Sequence, residues 1–93
     1  MEFEWDPQKA AKNLSKHKVS FTEAATVFDD PLSVTVADPD HSMEEDRFII
    51  VGQSYRRRLL IVSFAERGDR IRIISARELT RTERRAYEEE IHD

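Results

Sequence analysis

Hydrophobic and polar positions follow a helical rhythm, then a strand-like one, then a helical one again, and that order predicts the elements of the chain. Phe3 and Trp5 fall on one side of a short extended lead-in. Asp6 and Pro7 then open a helix, since aspartate caps well and proline's missing N–H would be unpaired at the first helical position anyway. Ala10, Ala11 and Leu14 form its expected inner face, with His17 one turn beyond, while Lys9, Lys12, Lys16 and Lys18 make the polar side basic. Ser20 and Glu23 have the spacing of a capping box for a second helix, whose buried stripe is Phe21, Ala24, Ala25, Val27 and Phe28. Asp29-Asp30-Pro31 closes it, and Lys18-Val19 is the elbow between the two helices.

Four strand-like runs follow, over 32–38, 46–55, 58–67 and 70–77, and the middle two are apolar on both faces. Gly68-Asp69 is a two-residue hairpin turn that begins with glycine, and Arg56-Arg57 is a poorer turn. Such short connections predict an antiparallel meander. The segment Pro39 to Glu45 is polar and is expected to be a mobile loop. Thr80 and Glu83 form another capping box, opening a last helix from Arg81 to Ile91 with Leu79, Ala86, Tyr87 and Ile91 facing inward. The expected fold class is α+β, with two N-terminal helices, a four-stranded antiparallel sheet and a C-terminal helix in one domain over residues 1–93.

Composition narrows the possibilities. Hydrophobic residues make up 39% and charged residues 37% of the 93, which describes a globular protein with a heavily charged surface. The absence of cysteine excludes disulfides and thiolate chemistry, and the acidic start Met-Glu-Phe-Glu-Trp lacks the apolar core of a signal peptide. With no apolar run long enough for a membrane span, the expectation is a cytoplasmic protein.

The net charge of −4 argues against a nucleic-acid partner only on average. Between Arg56 and Arg85, ten arginines face four acids (Glu66, Asp69, Glu78 and Glu83), a local balance of +6 that leaves −10 for the remainder. Phosphate responds to the local field, so a bipolar chain can bind RNA or DNA; the two halves can equally neutralise each other. Arg81, Arg84 and Arg85 crowd the start of the last helix, where the amides already present about half a positive charge. Local stability disfavours that arrangement, so an anion is expected there, either a protein carboxylate or a phosphate.

Metal chemistry is not indicated. Asp38, Asp40, Glu44, Glu45 and Asp46 are acidic enough to attract a divalent cation, but Met43 and Ile49 occupy the glycine and glutamate positions of a calcium loop. His17, His41 and His92 lack zinc-ligand spacing, and Gly52 and Gly68 make no phosphate loop. What remains is the means to cleave RNA without a metal or cofactor. Such cleavage requires a base for the 2′-hydroxyl, a cation for the phosphorane and an acid for the leaving oxygen. His17, the arginines, and Tyr87 or Glu66 are the right types, and arginine's planar fork suits two phosphate oxygens. The same residues also have plain structural readings: His17 facing a helix dipole, Tyr87 at the edge of the core, and Arg67 and Arg70 flanking a hairpin.

Several stretches together resemble the BrnT family of bacterial type II toxins, small proteins with a RelE-like ribonuclease fold. They are Phe3-Glu4-Trp5-Asp6-Pro7 with Lys9 and Asn13, Lys16-His17, Phe21 to Phe28 with Asp30-Pro31, Glu45-Asp46-Arg47, Gly52, Glu66-Arg67-Gly68, Arg72 to Arg77, and Glu83-Arg84 with Tyr87. The resemblance covers nearly the whole chain. It implies an endoribonuclease toxin that arrests translation, and a BrnA-like ribbon-helix-helix antitoxin that joins it in a heterotetramer. Operator DNA would be reached only through that antitoxin. Carried onto matching positions, it implies His17, Arg67 and Arg77 as functional residues with Glu66 and Tyr87 in second rank. Lys16, Arg72, Arg81 and Arg84 are the basic side chains expected to contact RNA. One position departs: where the family commonly has glycine after the histidine, this chain has Lys18, and a lysine adopts the left-handed conformation only at a cost of about 1 kcal/mol, so a different elbow is expected there. A second reading stays open, a non-enzymatic module that pairs with a DNA-binding antitoxin for operon repression.

Overall fold

The computed structural model describes residues 1–41 and 46–92, the last two as backbone only. Strand β1 (Glu2–Glu4) leads into helix α1 (Pro7–His17) and helix α2 (Phe21–Thr26), which tightens into a 3-10 turn at Val27–Asp29. Strand β2 (Val34–Ala37), a 3-10 turn at Pro39–His41, strands β3 (Arg47–Gln53), β4 (Leu59–Arg67) and β5 (Arg70–Glu78), and helix α3 (Arg81–His92) complete the order. Among the described residues no helix is long and apolar enough to cross a membrane.

The expected four-stranded antiparallel sheet is corrected to a five-stranded mixed one, ordered β1-β5-β4-β3-β2. The lead-in is its fifth strand. Glu2, Phe3 and Glu4 pair in parallel with Arg70, Ile71 and Arg72, at the edge of the meander formed by β2 to β5. The 39–45 loop lies outside the described residues from Ser42 to Glu45, as does the side chain of Ile91.

Alternation along the strands sorts their side chains into two faces. Ile50, Val62 and Ala76 form one cross-strand row and Phe48, Phe64 and Ile73 another; with Leu60 they meet Val19, Phe21, Ala24 and Val27 from the helical layer. Phe28 bridges edge-on between Phe3 at 5.2 Å and Phe64 at 4.9 Å, tying the lead-in strand to the core. The opposite face carries the rows Val36-Ile49-Ser63-Ser75 and Val34-Val51-Ile61-Arg77. There α3 and the sheet line an apolar groove that includes Val34, Val51, Ile61, Leu79 and Tyr87. Tyr87 is buried and its hydroxyl donates to the Leu32 carbonyl at 2.8 Å, but Ala86, expected to face inward, is exposed.

Leu14 and Ala11, expected on the inner face of α1, are exposed as well. The buried residue of that helix is Asn13. Its Nδ2 donates to the carbonyls of Val19 at 2.9 Å and Ala76 at 2.8 Å, and its Oδ1 accepts from the Ala76 amide at 3.1 Å. Since β1 pairs with the first part of β5, Arg70 to Arg72, the strand edge at Ala76 has no strand partner among the described residues, and the carboxamide supplies both missing bonds.

Lys18 ends α1 in the left-handed region (φ 61°), its amide donating to the Leu14 carbonyl at 3.0 Å. The elbow thus keeps a conformation that favours glycine. Gly68 also has positive φ, at the first position of the β4–β5 turn as expected, whereas the β3–β4 connection runs through Tyr55, Arg56 and Arg57 with Arg57 left-handed.

Asn13→Ala should lower stability by about 3 kcal/mol, because three buried backbone groups lose their partner. Lys18→Gly should raise it by about 1 kcal/mol. Urea titrations followed by circular dichroism measure both.

Candidate functional site

A concavity of about 320 Å³ opens on the sheet face opposite α1 and α2. Its floor is Ile49, Ile61, Ser63 and Ser75; His17 and Ala76 border it from the β5 edge, Asp38, Asp40 and His41 from the turn after β2, and Arg77 from β5. These positions follow from the chain's local rules. Ser63 and Ser75 are direct cross-strand partners, so two small hydroxyl side chains leave room between bulkier neighbours. Arg77 is two residues on from Ser75 and shares its face. His17 is one helical turn beyond Asn13, whose bonds to Ala76 hold that end of α1 against β5.

Arg77 is half-buried and held by a carboxylate. Its Nη1 donates to Glu83 Oε1 at 2.8 Å and its Nη2 to Glu83 Oε2 at 3.0 Å, while Nη1 also donates to the Glu78 carbonyl at 3.1 Å. The anion expected near the arginine-rich helix start is, for Arg77, Glu83. The same carboxylate completes the Thr80 capping box: Oε1 accepts from the Thr80 amide at 2.8 Å, and the Glu83 amide donates to Thr80 Oγ1 at 3.2 Å. These bonds, that from Arg77 foremost, pull the Glu83 carboxyl down to about 2, and the pairing raises Arg77 further.

Across the rim of the concavity, Asp38 is buried, with Oδ1 accepting from the Asp40 amide at 3.0 Å. Sequence reasoning weighed Asp38 and His41 only as metal ligands and passed over Ser63, because the turn after β2 and the middle of β4 meet only through the sheet. The available signal was Ser63 and Ser75, the polar interruptions on the outward side of two apolar strands.

The other expected site residues lie elsewhere. Glu66 and Arg67 are exposed at the β4–β5 hairpin, five and six residues along β4 from the Ile61 that pairs with Arg77, which is about 16 to 20 Å at the usual strand rise. Tyr87 is tied to Leu32, and burial, followed by the charge of Asp30, raises its hydroxyl above the ordinary value. Arg72 donates to Glu4 at 3.0 Å beside β1. Arg84 lines a separate hollow with Asp30, Gln53 and Arg57. Lys16 and Arg81 are exposed, one beside His17 and the other at the first position of α3.

Glu23 was expected to return to Ser20 as half of a capping box, and only the other half forms. Its amide donates to Ser20 Oγ at 3.0 Å, but its buried carboxylate accepts from Ser54 Oγ at 2.7 Å and from the Arg58 guanidinium, including Nε at 2.9 Å. The Arg58 bond depresses the Glu23 carboxyl, against the opposing effect of burial.

The model of the family described as "Ribonuclease toxin, BrnT, of type II toxin-antitoxin system" matches residues 5–83. No curated protein matches. Among solved structures, the 1.1 Å crystal structure of the Brucella abortus ribonuclease toxin BrnT aligns with a TM-score of 0.69 at 20% identity, covering 87% of this chain and 99% of that one. At that identity the likeness is one of fold.

Because the folded-state carboxyl of Glu83 lies below its ordinary value of 4.5, the stability it contributes is present above that value and is lost as pH falls toward about 2. Glu83→Gln should therefore flatten the acid limb of a stability–pH curve between those limits. Urea midpoints measured across the window check this.

Proposed function

The chain belongs to the BrnT family of ribonuclease toxins of type II toxin–antitoxin systems, and from that premise we propose that its reaction centre is the concavity bordered by His17, His41 and Arg77. The observation that carries this reading is the convergence of two imidazoles and a guanidinium on one hollow of the sheet face. Histidine is the commonest general acid or base, and a guanidinium stays charged while binding two phosphate oxygens.

The reaction assigned is transesterification of RNA. One imidazole takes the proton of a 2′-hydroxyl as that oxygen bonds to phosphorus, and the other protonates the departing 5′-oxygen as its bond to phosphorus breaks. The products are a 2′,3′-cyclic phosphate and a 5′-hydroxyl. Arg77 stabilises the charge on the phosphorane oxygens. The three side chains fill the three roles, so the cleavage is read as metal-independent. Lys16 and Arg81 serve as contacts to the flanking RNA; Glu66, Arg67 and Tyr87 do not touch the reacting atoms in this reading.

A type II toxin is paired with an antitoxin. The partner assigned is a BrnA-like ribbon-helix-helix protein that covers the open sheet face and carries the operator-binding function, with arrest of translation as the consequence of free toxin.

The purified protein should cleave RNA in the presence of EDTA. Arg77→Ala and His17→Ala should each slow cleavage by about 100-fold or more while keeping wild-type circular dichroism. Variants as active and as growth-inhibitory as the parent would sink the assignment of the centre. Harmless expression of the folded chain alone would favour the non-enzymatic module that pairs with a DNA-binding antitoxin.

A further inference from the structure

Arg77 carries five guanidinium N–H groups. Glu83 takes one from each Nη, and the Glu78 carbonyl takes the second from Nη1. Two are left, the Nε–H and one Nη2–H, and among the described residues neither has an acceptor. They lie along one edge of the guanidinium plane. Two parallel N–H groups on one edge make the fork that grips two oxygens of a phosphate.

Glu83 has an anchor besides Arg77. Its reciprocal bonds with Thr80 place its carboxylate in the first turn of α3, where the helix dipole favours negative charge. Arg77 is fixed at its root, paired with Ile61 across β4 and next to Ala76, whose backbone Asn13 holds. With root and outer end both restrained, the free edge has one orientation.

We propose that Glu83 is a positioning residue: it clamps the outer end of Arg77 so that the Nε/Nη2 edge is presented to a phosphate seated in the concavity. The inference rests on the reading of that concavity as an RNA-cleaving centre. It also has a distinctive kinetic sign. The carboxylate weakens the net positive field felt by RNA in the ground state while pre-organising the donors needed in the transition state. Removing its charge should therefore lower kcat without raising KM, whereas a merely structural loss would disturb folding or binding.

Glu83→Gln keeps the shape of the side chain and an oxygen for the Thr80 amide. With the purified full chain it should lower kcat on the order of 10-fold, leave KM unchanged or smaller, and retain wild-type circular dichroism. In the Arg77→Lys background, where no fork is left to aim, the same substitution should change kcat less than about twofold. Wild-type kcat in Glu83→Gln, or the full additional loss in the Arg77→Lys background, would overturn the proposal.

A binding measurement separates this inference from the reading it rests on. Titration with an all-2′-deoxy oligonucleotide, which has no 2′-hydroxyl to react, should shift the Arg77 Nε–H resonance in wild type and much less in Glu83→Gln. That shift in a protein that fails to cleave RNA would support the clamp while rejecting the ribonuclease reading. No shift in wild type would reject the clamp, whatever the activity.

Discussion

The relative placement of helix α1 and strand β5 depends on one uncharged side chain, the buried carboxamide of Asn13. It donates to and accepts from the backbone of Ala76, as a neighbouring strand would, and it also ties down the Val19 carbonyl just past the elbow. Three backbone groups, on residues six and 63 positions away, are thus satisfied by one side chain. His17 follows Asn13 by a helical turn and Arg77 follows Ala76 directly, so the bond that closes the sheet edge also helps set both side chains on one hollow. An amide does this without a titrating charge, and the arrangement should be indifferent to pH and salt.

The two arginine–glutamate pairs show how burial divides one chemistry into two jobs. The Glu23 side chain is 3% exposed, and it joins α2 to the β3–β4 connection through Arg58 and Ser54. Arg58 extends the link to the Lys18 carbonyl at 2.9 Å, reaching the elbow after α1. Removing one partner there would strand a buried charge, a loss of about 3–5 kcal/mol. Gly52 belongs to the same region, where a Cβ would come within 2.9 Å of Ser33 Cβ and 3.0 Å of Asp30 Oδ2. The Arg77–Glu83 pair is instead about two-fifths exposed on both sides and faces an open hollow. Water screens it and a phosphate can reach it, as suits a contact that holds one edge of a group and leaves another edge available.

Local chemistry made most elements readable. Asp6-Pro7 and Thr80 with Glu83 announced their helix starts, and Gly68-Asp69 its hairpin, because each signal is complete within a few residues. Strand β1 was not readable as a strand, since three residues hold too little alternation and their partner lies 68 positions away. Leu14 and Ala11 looked inward because apolar spacing assigns a helix face by majority, yet Ala10 is the one of the three that packs against the core, and the buried residue is polar and held by three hydrogen bonds. The concavity was half visible. Arg77 and His17 stood out by type, but His41 and Asp38 reach the same hollow only through the register of β2, β3 and β4, which no local motif encodes.

The arginine-loaded start of α3 acquires a physical sense from the placement of Glu83. One carboxylate offsets the positive end of the helix dipole and is at the same time committed to Arg77. Arg81, Arg84 and Arg85 are exposed, and among the described residues no ion pair joins them to Glu88, Glu89 or Glu90. Among the described residues, then, no ion pair relieves their mutual repulsion. A lattice of internal pairs would have hidden this charge, whereas an uncompensated cluster projects a field into solvent and draws in polyanions over about a Debye length of 8 Å. In the proposed reading, capture by that diffuse field and precise grip by a single restrained guanidinium are separable tasks that fall to different arginines of one short segment.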